Sequence, residues 1–174
     1  METPSTRVEV GIPDDRRLEA LDRLLDRQLA WVAAANERIT TPLTLATAML
    51  GVSAALAPSK ASEWTLLQGV LAGFSTLGLL TCLGCCSFAV FPRTAAPHDS
   101  LVYFGGVASW ERAKFVTEAL RRSVTEHAQD LAQQVHVNAT IAQTKFLWVQ
   151  RALFVLIVSV PAWLGALCLL YQGR

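Results

Sequence analysis

Two aromatics, two glycines and two cations crowd one short stretch: Tyr103, Phe104, Gly105, Gly106, Arg112 and Lys114. Residues of these types at this spacing can hold a nucleotide. Paired glycines let a ligand approach the backbone closely. A helix N-terminus just beyond them offers free N–H groups and a favourable dipole to a phosphate. Adjacent aromatic faces stack a base, and Arg112 and Lys114 supply opposite charge. The pattern has an equally direct structural reading. An extended segment from Leu101, a turn at the paired glycines and a helix from Trp110 capped by Ser109 would place the aromatics against neighbouring helices.

Other chemistry is sparse. The chain contains no P-loop, no dinucleotide fingerprint and no nucleophile elbow. His98, His127 and His136 are too scattered to mark a metal centre. Cys82, Cys85 and Cys86 fall together, but no second ligand pair accompanies them. Buried thiols, Cys168 included, ordinarily act as small apolar side chains. No catalytic residue, metal or cofactor is expected, and the chain does not read as an enzyme.

The elements that must position these residues are set by charge. Ile39–Ser59, Trp64–Pro92 and Ala152–Gly173 contain no charged residue, and a bilayer is crossed by about 20 mostly apolar residues in a helix. The chain is therefore expected to be an all-α integral membrane protein with three transmembrane helices, over 39–59, 64–92 and 152–173. The remainder, 1–38 and 93–151, is expected to be a mostly helical cytoplasmic region. Of its 174 residues, 52% are hydrophobic, and most of the aliphatic ones are committed to lipid, so no large soluble core remains. The net charge of +1 creates no bulk field for nucleic acid. No acid or base lies within a span, which argues against a proton or ion path.

Basic residues choose the side. Arg7, Arg16, Arg17, Arg23, Arg27 and Arg38 precede the first span. Lys60 stands alone between spans one and two, seven Lys and Arg follow span two, and only Arg174 follows span three. This alternation places the N-terminus in the cytoplasm and the C-terminus outside. Trp64, Trp148 and Tyr171 sit near span ends, at headgroup depth.

Within the cytoplasmic part, Asp14 and Asp15 favour a helix start. Leu18, Leu21, Leu25, Leu29 and Val32 then make one apolar face. That helix either packs on its cytoplasmic neighbours or lies on the membrane surface. Ser123 and Glu126 have capping-box spacing. The apolar face that follows, from Ala128 through Leu131 and Val135 to Val149, meets no Gly or Pro before Pro161, so one long helix should run into span three. Pro161 frees a carbonyl and predicts a bend, fixed or hinged. In the spans, Gly51 lies on a small-residue stripe, and Gly69 and Gly73 form a G-x-x-x-G pair. Such stripes serve either packing within one chain or assembly of a homo-oligomer.

The run Leu101-Val102-Tyr103-Phe104-Gly105-Gly106-Val107-Ala108, a short helix, the run Leu131-Ala132-Gln133-Gln134-Val135-His136-Val137-Asn138, and Lys145-Phe146 leading into a last span resemble the PycTM-type membrane effector of the Pycsar antiphage system. Trp31 to Arg38, entering the first span, is similar as well. The resemblance implies a bacterial inner-membrane protein that binds cyclic UMP or cyclic CMP made by a partner pyrimidine nucleotide cyclase. It implies that the effector then impairs the membrane, ending in abortive infection. It brings no residue-level map of the nucleotide site. Two other readings stay open, a constitutive holin-like pore former and a non-lytic membrane scaffold.

Overall fold

A computed structural model describes residues 13–57, 64–91 and 100–172. The loops expected at 58–63 and 93–99 and the N-terminal tail lie outside these residues. Among the described residues there are five helices and no strand: α1 (Asp14–Leu56), α2 (Leu66–Val90), α3 (Phe104–Ser109), α4 (Arg112–Arg121) and α5 (Val124–Gln172). α1, α2 and α5 each contain a segment long and apolar enough to cross a membrane. The described residues fall into two compact units. One lies within Met1–Leu29 and Thr94–Ala139, the other within Ala30–Arg93 and Thr140–Arg174.

The helices start where local chemistry favours it. Asp14 and Asp15 occupy the first turn of α1, where negative charge meets the positive end of the helix dipole. α2 opens on a reciprocal cap. The Gln68 N–H donates to Thr65 Oγ1 at 3.3 Å, and the Thr65 N–H donates to Gln68 Oε1 at 2.9 Å. α5 opens the same way, with the Glu126 N–H donating to Ser123 Oγ at 3.3 Å and the Ser123 N–H to Glu126 Oε2 at 2.8 Å. α1 and α5 run unbroken as α-helix across Pro42 and Pro161.

The hydrogen bonds from Ser123, backbone first and then side chain, together with Arg122 and Arg121, hold the Glu126 carboxyl below its ordinary value of 4.5. A lowered carboxylate stabilises the fold above its unfolded pKa, and that contribution is lost as pH falls through the folded value. Amide exchange at Glu126 and His127, corrected for intrinsic rate, is therefore expected to quicken only below pH 4.5. Protection that is unchanged on acidification would exclude a role for the box.

In the span-bearing unit the core is made of small side chains. Ala46, Ala89 and Ala152 are fully enclosed, with Leu79, Cys82 and Cys86 between them. At Gly78 the helices α2 and α5 lie so close that an added Cβ would fall on the Ser159 side chain. Hydroxyls inside the helices satisfy themselves. Thr47, Thr81, Ser87 and Ser159 each donate to the carbonyl four residues back, as a medium without water requires. Polar ties also join helices. Trp163 Nε1 donates to the Met49 carbonyl at 3.2 Å and to Ser53 Oγ at 2.9 Å, and Gln68 Nε2 donates to the Leu169 carbonyl at 3.0 Å. Phe74, Leu77, Phe154 and Ile157 point outward. In water this would be an aggregation surface, and in a bilayer it faces solvent of its own kind.

Candidate functional site

The unit built around residues 100–139 is organised by one buried carboxylate. Asp130, on α5, is only 6% exposed. A buried charge needs opposite charge and donors, and Asp130 has three partners. Ser100 Oγ donates to it at 2.6 Å, the Leu101 N–H at 2.7 Å and Arg122 NH1 at 2.7 Å. Ser100 passes the network on. Its hydroxyl accepts from the Val102 N–H at 3.2 Å, the Tyr103 N–H at 3.0 Å and Gln134 Nε2 at 3.2 Å. Gln134 is 1% exposed and stands one helical turn beyond Asp130, on the same face. Segment 100–103 is thus pinned to α5 through side chains alone.

The paired glycines belong to this arrangement, not to a turn. Both lie inside α3, and neither has a positive φ. They are small because the chain folds back on itself. A Cβ on Gly106 would stand 2.5 Å from the Ser100 carbonyl oxygen, and one on Gly105 would stand 2.7 Å from the Tyr103 ring. The turn expected at the paired glycines is therefore a short helix entered from a pinned loop. Ser109 does not cap the following helix. Its hydroxyl donates back to the Gly106 carbonyl at 2.7 Å, and α4 starts after Glu111 instead.

These facts place the six expected binding residues. Tyr103 is buried, with its ring over Gly105, and Phe104 begins α3. Arg112 and Lys114 are exposed on α4, where Lys114 pairs with Glu111 at 3.1 Å. The structure brings Tyr103 together with Gly105, and Gly106 with Ser100. Tyr103, Gly105, Gly106, Arg112 and Lys114 do not line the cavity found in this unit.

That cavity holds about 310 Å³. Leu18, Leu101, Phe115 and Ala119 form apolar walls, and Arg122 and His127 bring polar groups. Small-ligand sites commonly begin near this size and have this balance of apolar wall and few polar groups. Arg122 is the residue that joins cavity to network. It ends α4, with its N–H donating to the Glu118 carbonyl at 3.1 Å, and its side chain, 19% exposed, reaches Asp130. Leu101, another lining residue, is held by the same carboxylate through its N–H. Two lining residues of the cavity are thus fixed by one side chain. A guanidinium here suits a phosphate or phosphodiester, and the Leu101 and Phe115 faces suit a flat ring.

The sequence carries one signal for this cluster. Asp130 and Gln134 flank Leu131 on the inward side of an otherwise apolar helix face, where a polar pair at i and i+4 marks a buried contact. Ser100 precedes the conspicuous Leu101–Ala108 run and drew no attention.

In the spans, a side chain added at Gly51, Gly69 or Gly73 would meet nothing within 4 Å. Gly69 and Gly73 line an open apolar groove of about 660 Å³ along α2, with Trp64, Ala72, Thr76 and Leu77. Packing within the chain does not use them; it uses Gly78.

Three lipid-competent helices, in a chain that also forms a helical unit with a buried polar cluster, define an integral membrane protein. No curated protein and no solved structure matches the chain. Residues 20–172 match the Pycsar effector protein domain, and the chain belongs to that family. It is an antiphage defence effector with a membrane-spanning part.

Proposed function

We propose that this effector answers to a cyclic pyrimidine nucleotide, cyclic UMP or cyclic CMP, made by a partner cyclase, and that it then impairs the bacterial inner membrane and aborts infection without enzymatic activity of its own. The observation that carries the reading is the cavity lined by Leu101, Phe115, Arg122 and His127. A cyclic mononucleotide presents one pyrimidine ring and one singly charged phosphodiester. The apolar walls accept the ring, and Arg122 and His127 face the phosphodiester. The basic alternation of the sequence places this unit in the cytoplasm, where such a messenger would be made.

Occupancy matters only if the ligand prefers one state of the protein, because equal affinity for two states shifts nothing. Arg122 supplies the preference. A phosphodiester drawn to its guanidinium competes with Asp130, which also holds Leu101. α5 carries Asp130, His127 and the third span on one helix.

The test uses full-length protein in dye-loaded vesicles titrated with each cyclic nucleotide. Ala119→Phe fills the cavity and leaves every residue of the Asp130 cluster unsubstituted. It is expected to weaken nucleotide binding at least tenfold, on the order of 1.4 kcal/mol or more, with helical content unchanged. Wild-type leakage on cyclic UMP or cyclic CMP, abolished by Ala119→Phe, supports the reading. Leakage without nucleotide would point to a constitutive pore instead. Vesicles that never leak, with a protein partner co-purifying, would point to a scaffold.

A further inference from the structure

In the span-bearing unit, two arginines are laid on aromatic rings where the charged parts of α1 and α5 give way to uncharged sequence. The Arg38 guanidinium carbon stands 5.4 Å from the centre of the Phe146 ring, and Trp31 meets that ring edge-on at 6.1 Å. The Arg151 guanidinium carbon stands 4.8 Å from the Trp148 ring, which stacks on Phe88 at 5.0 Å. Both arginines are exposed. Among the described residues neither makes an ion pair or a hydrogen bond.

The surroundings are depleted of negative charge. Glu37 is the one carboxylate among the described residues of this unit, against Arg38, Lys145 and Arg151. Lys145 is buried, with Nζ donating to Asn36 Oδ1 at 2.7 Å, so the outward positive charge belongs to the two arginines. A guanidinium resting on a ring face keeps its rim of N–H donors directed sideways. The ring fixes its position, so little freedom is lost when a ligand binds. Exposed Phe88 and Trp31 beside these cations match the amphipathic zone of a bilayer, where aromatic rings sit at headgroup level. The group that a membrane presents at that depth is the phosphodiester of a phospholipid, and a guanidinium meets it with two parallel hydrogen bonds. The excess of cations selects lipids whose phosphodiester charge is not cancelled within the headgroup.

We infer that Arg38 on Phe146 and Arg151 on Trp148 are two binding points for the headgroups of anionic phospholipids. This goes beyond the nucleotide reading and stands or falls independently of it.

The test is native mass spectrometry of the full chain, released from detergent containing equal amounts of phosphatidylglycerol and phosphatidylcholine. Wild-type protein is expected to retain phosphatidylglycerol in preference. Each basic residue near an anionic surface contributes about fivefold, so Arg38→Gln with Arg151→Gln should remove about 25-fold of the preference, and each single change about fivefold. Trp148→Leu, which keeps both charges but removes one ring seat, should lose part of it. Should the double Gln variant fail to fold, Arg38→Lys with Arg151→Lys keeps the charge and loses the fork, and must bind more weakly than wild type. Millimolar inorganic phosphate should leave the lipid in place. Equal retention of the two lipids by wild type, unchanged preference in the variants, or displacement by inorganic phosphate would each overturn the inference.

Discussion

Asp130→Ala is expected to unfold the loop at 100–103 while leaving the three spans helical. Removing the carboxylate takes an acceptor from Arg122 and strands the Ser100 hydroxyl and the Leu101 N–H. Breaking a buried ion pair on one side costs about 3–5 kcal/mol. Arg122 is 19% exposed and recovers some hydration, so the lower part of that range applies to the pair. The stranded Ser100 and Leu101 donors add about 1–3 kcal/mol each where water cannot reach them. Domains are stable by only about 5–15 kcal/mol, so the loss is a large share of what a unit this small can have. Hydrogen exchange gives a direct measurement. The amides of Leu101, Val102 and Tyr103 are the ones bonded to Asp130 and Ser100, and their protection should disappear in Asp130→Ala. Asp130→Asn keeps the shape and one acceptor and should fall between. Wild-type protection of these three amides in the alanine variant would show that the cluster does not hold the loop.

The second large effect is expected at Gly78. A Cβ there already falls on the Ser159 side chain, so Gly78→Leu must push α2 and α5 apart at the centre of the span core. Overpacking of this kind costs about 1–3 kcal/mol, and in lipid no hydrophobic drive remains to recover it, because helices associate there mainly through packing. Resistance to sodium dodecyl sulfate in mixed micelles should fall accordingly. Gly69→Leu with Gly73→Leu is the matched comparison. Both positions have open space around them, so the chain should keep its stability, and any loss of killing would then report assembly between chains along the α2 groove. A Gly78→Leu protein as resistant as wild type would show that α2 and α5 do not meet as closely as described.

Spans were legible because charge is either present or absent, and lipid tolerates nothing in between. The uninterrupted course of α5 was legible for a related reason. No Gly or Pro precedes Pro161, and the Ser123 and Glu126 pair announced its start. The paired glycines misled because isolated sequence ranks them as breakers, whereas Gly105 and Gly106 are helical and small for the sake of Tyr103 and Ser100. That constraint comes from the folded chain returning on itself and leaves no local trace. Asp130 cannot be placed from sequence for the same reason. Its partners Ser100 and Leu101 lie 30 and 29 residues away along the chain, and only the fold brings them within reach. The cavity inherits this difficulty, since its walls come from Leu18, Leu101, Phe115 and His127, four places with no common pattern.

The spans hold no Asp, Glu, Lys or Arg between Ile39 and Leu56, between Leu66 and Val90, or between Ala152 and Gln172. The transmembrane voltage does work only on charge that moves through it, about 2.3 kcal/mol per elementary charge per 100 mV. Rearrangement of these helices therefore carries no gating charge of its own. Any response of these helices is therefore expected to be the same whether the membrane is polarised or not.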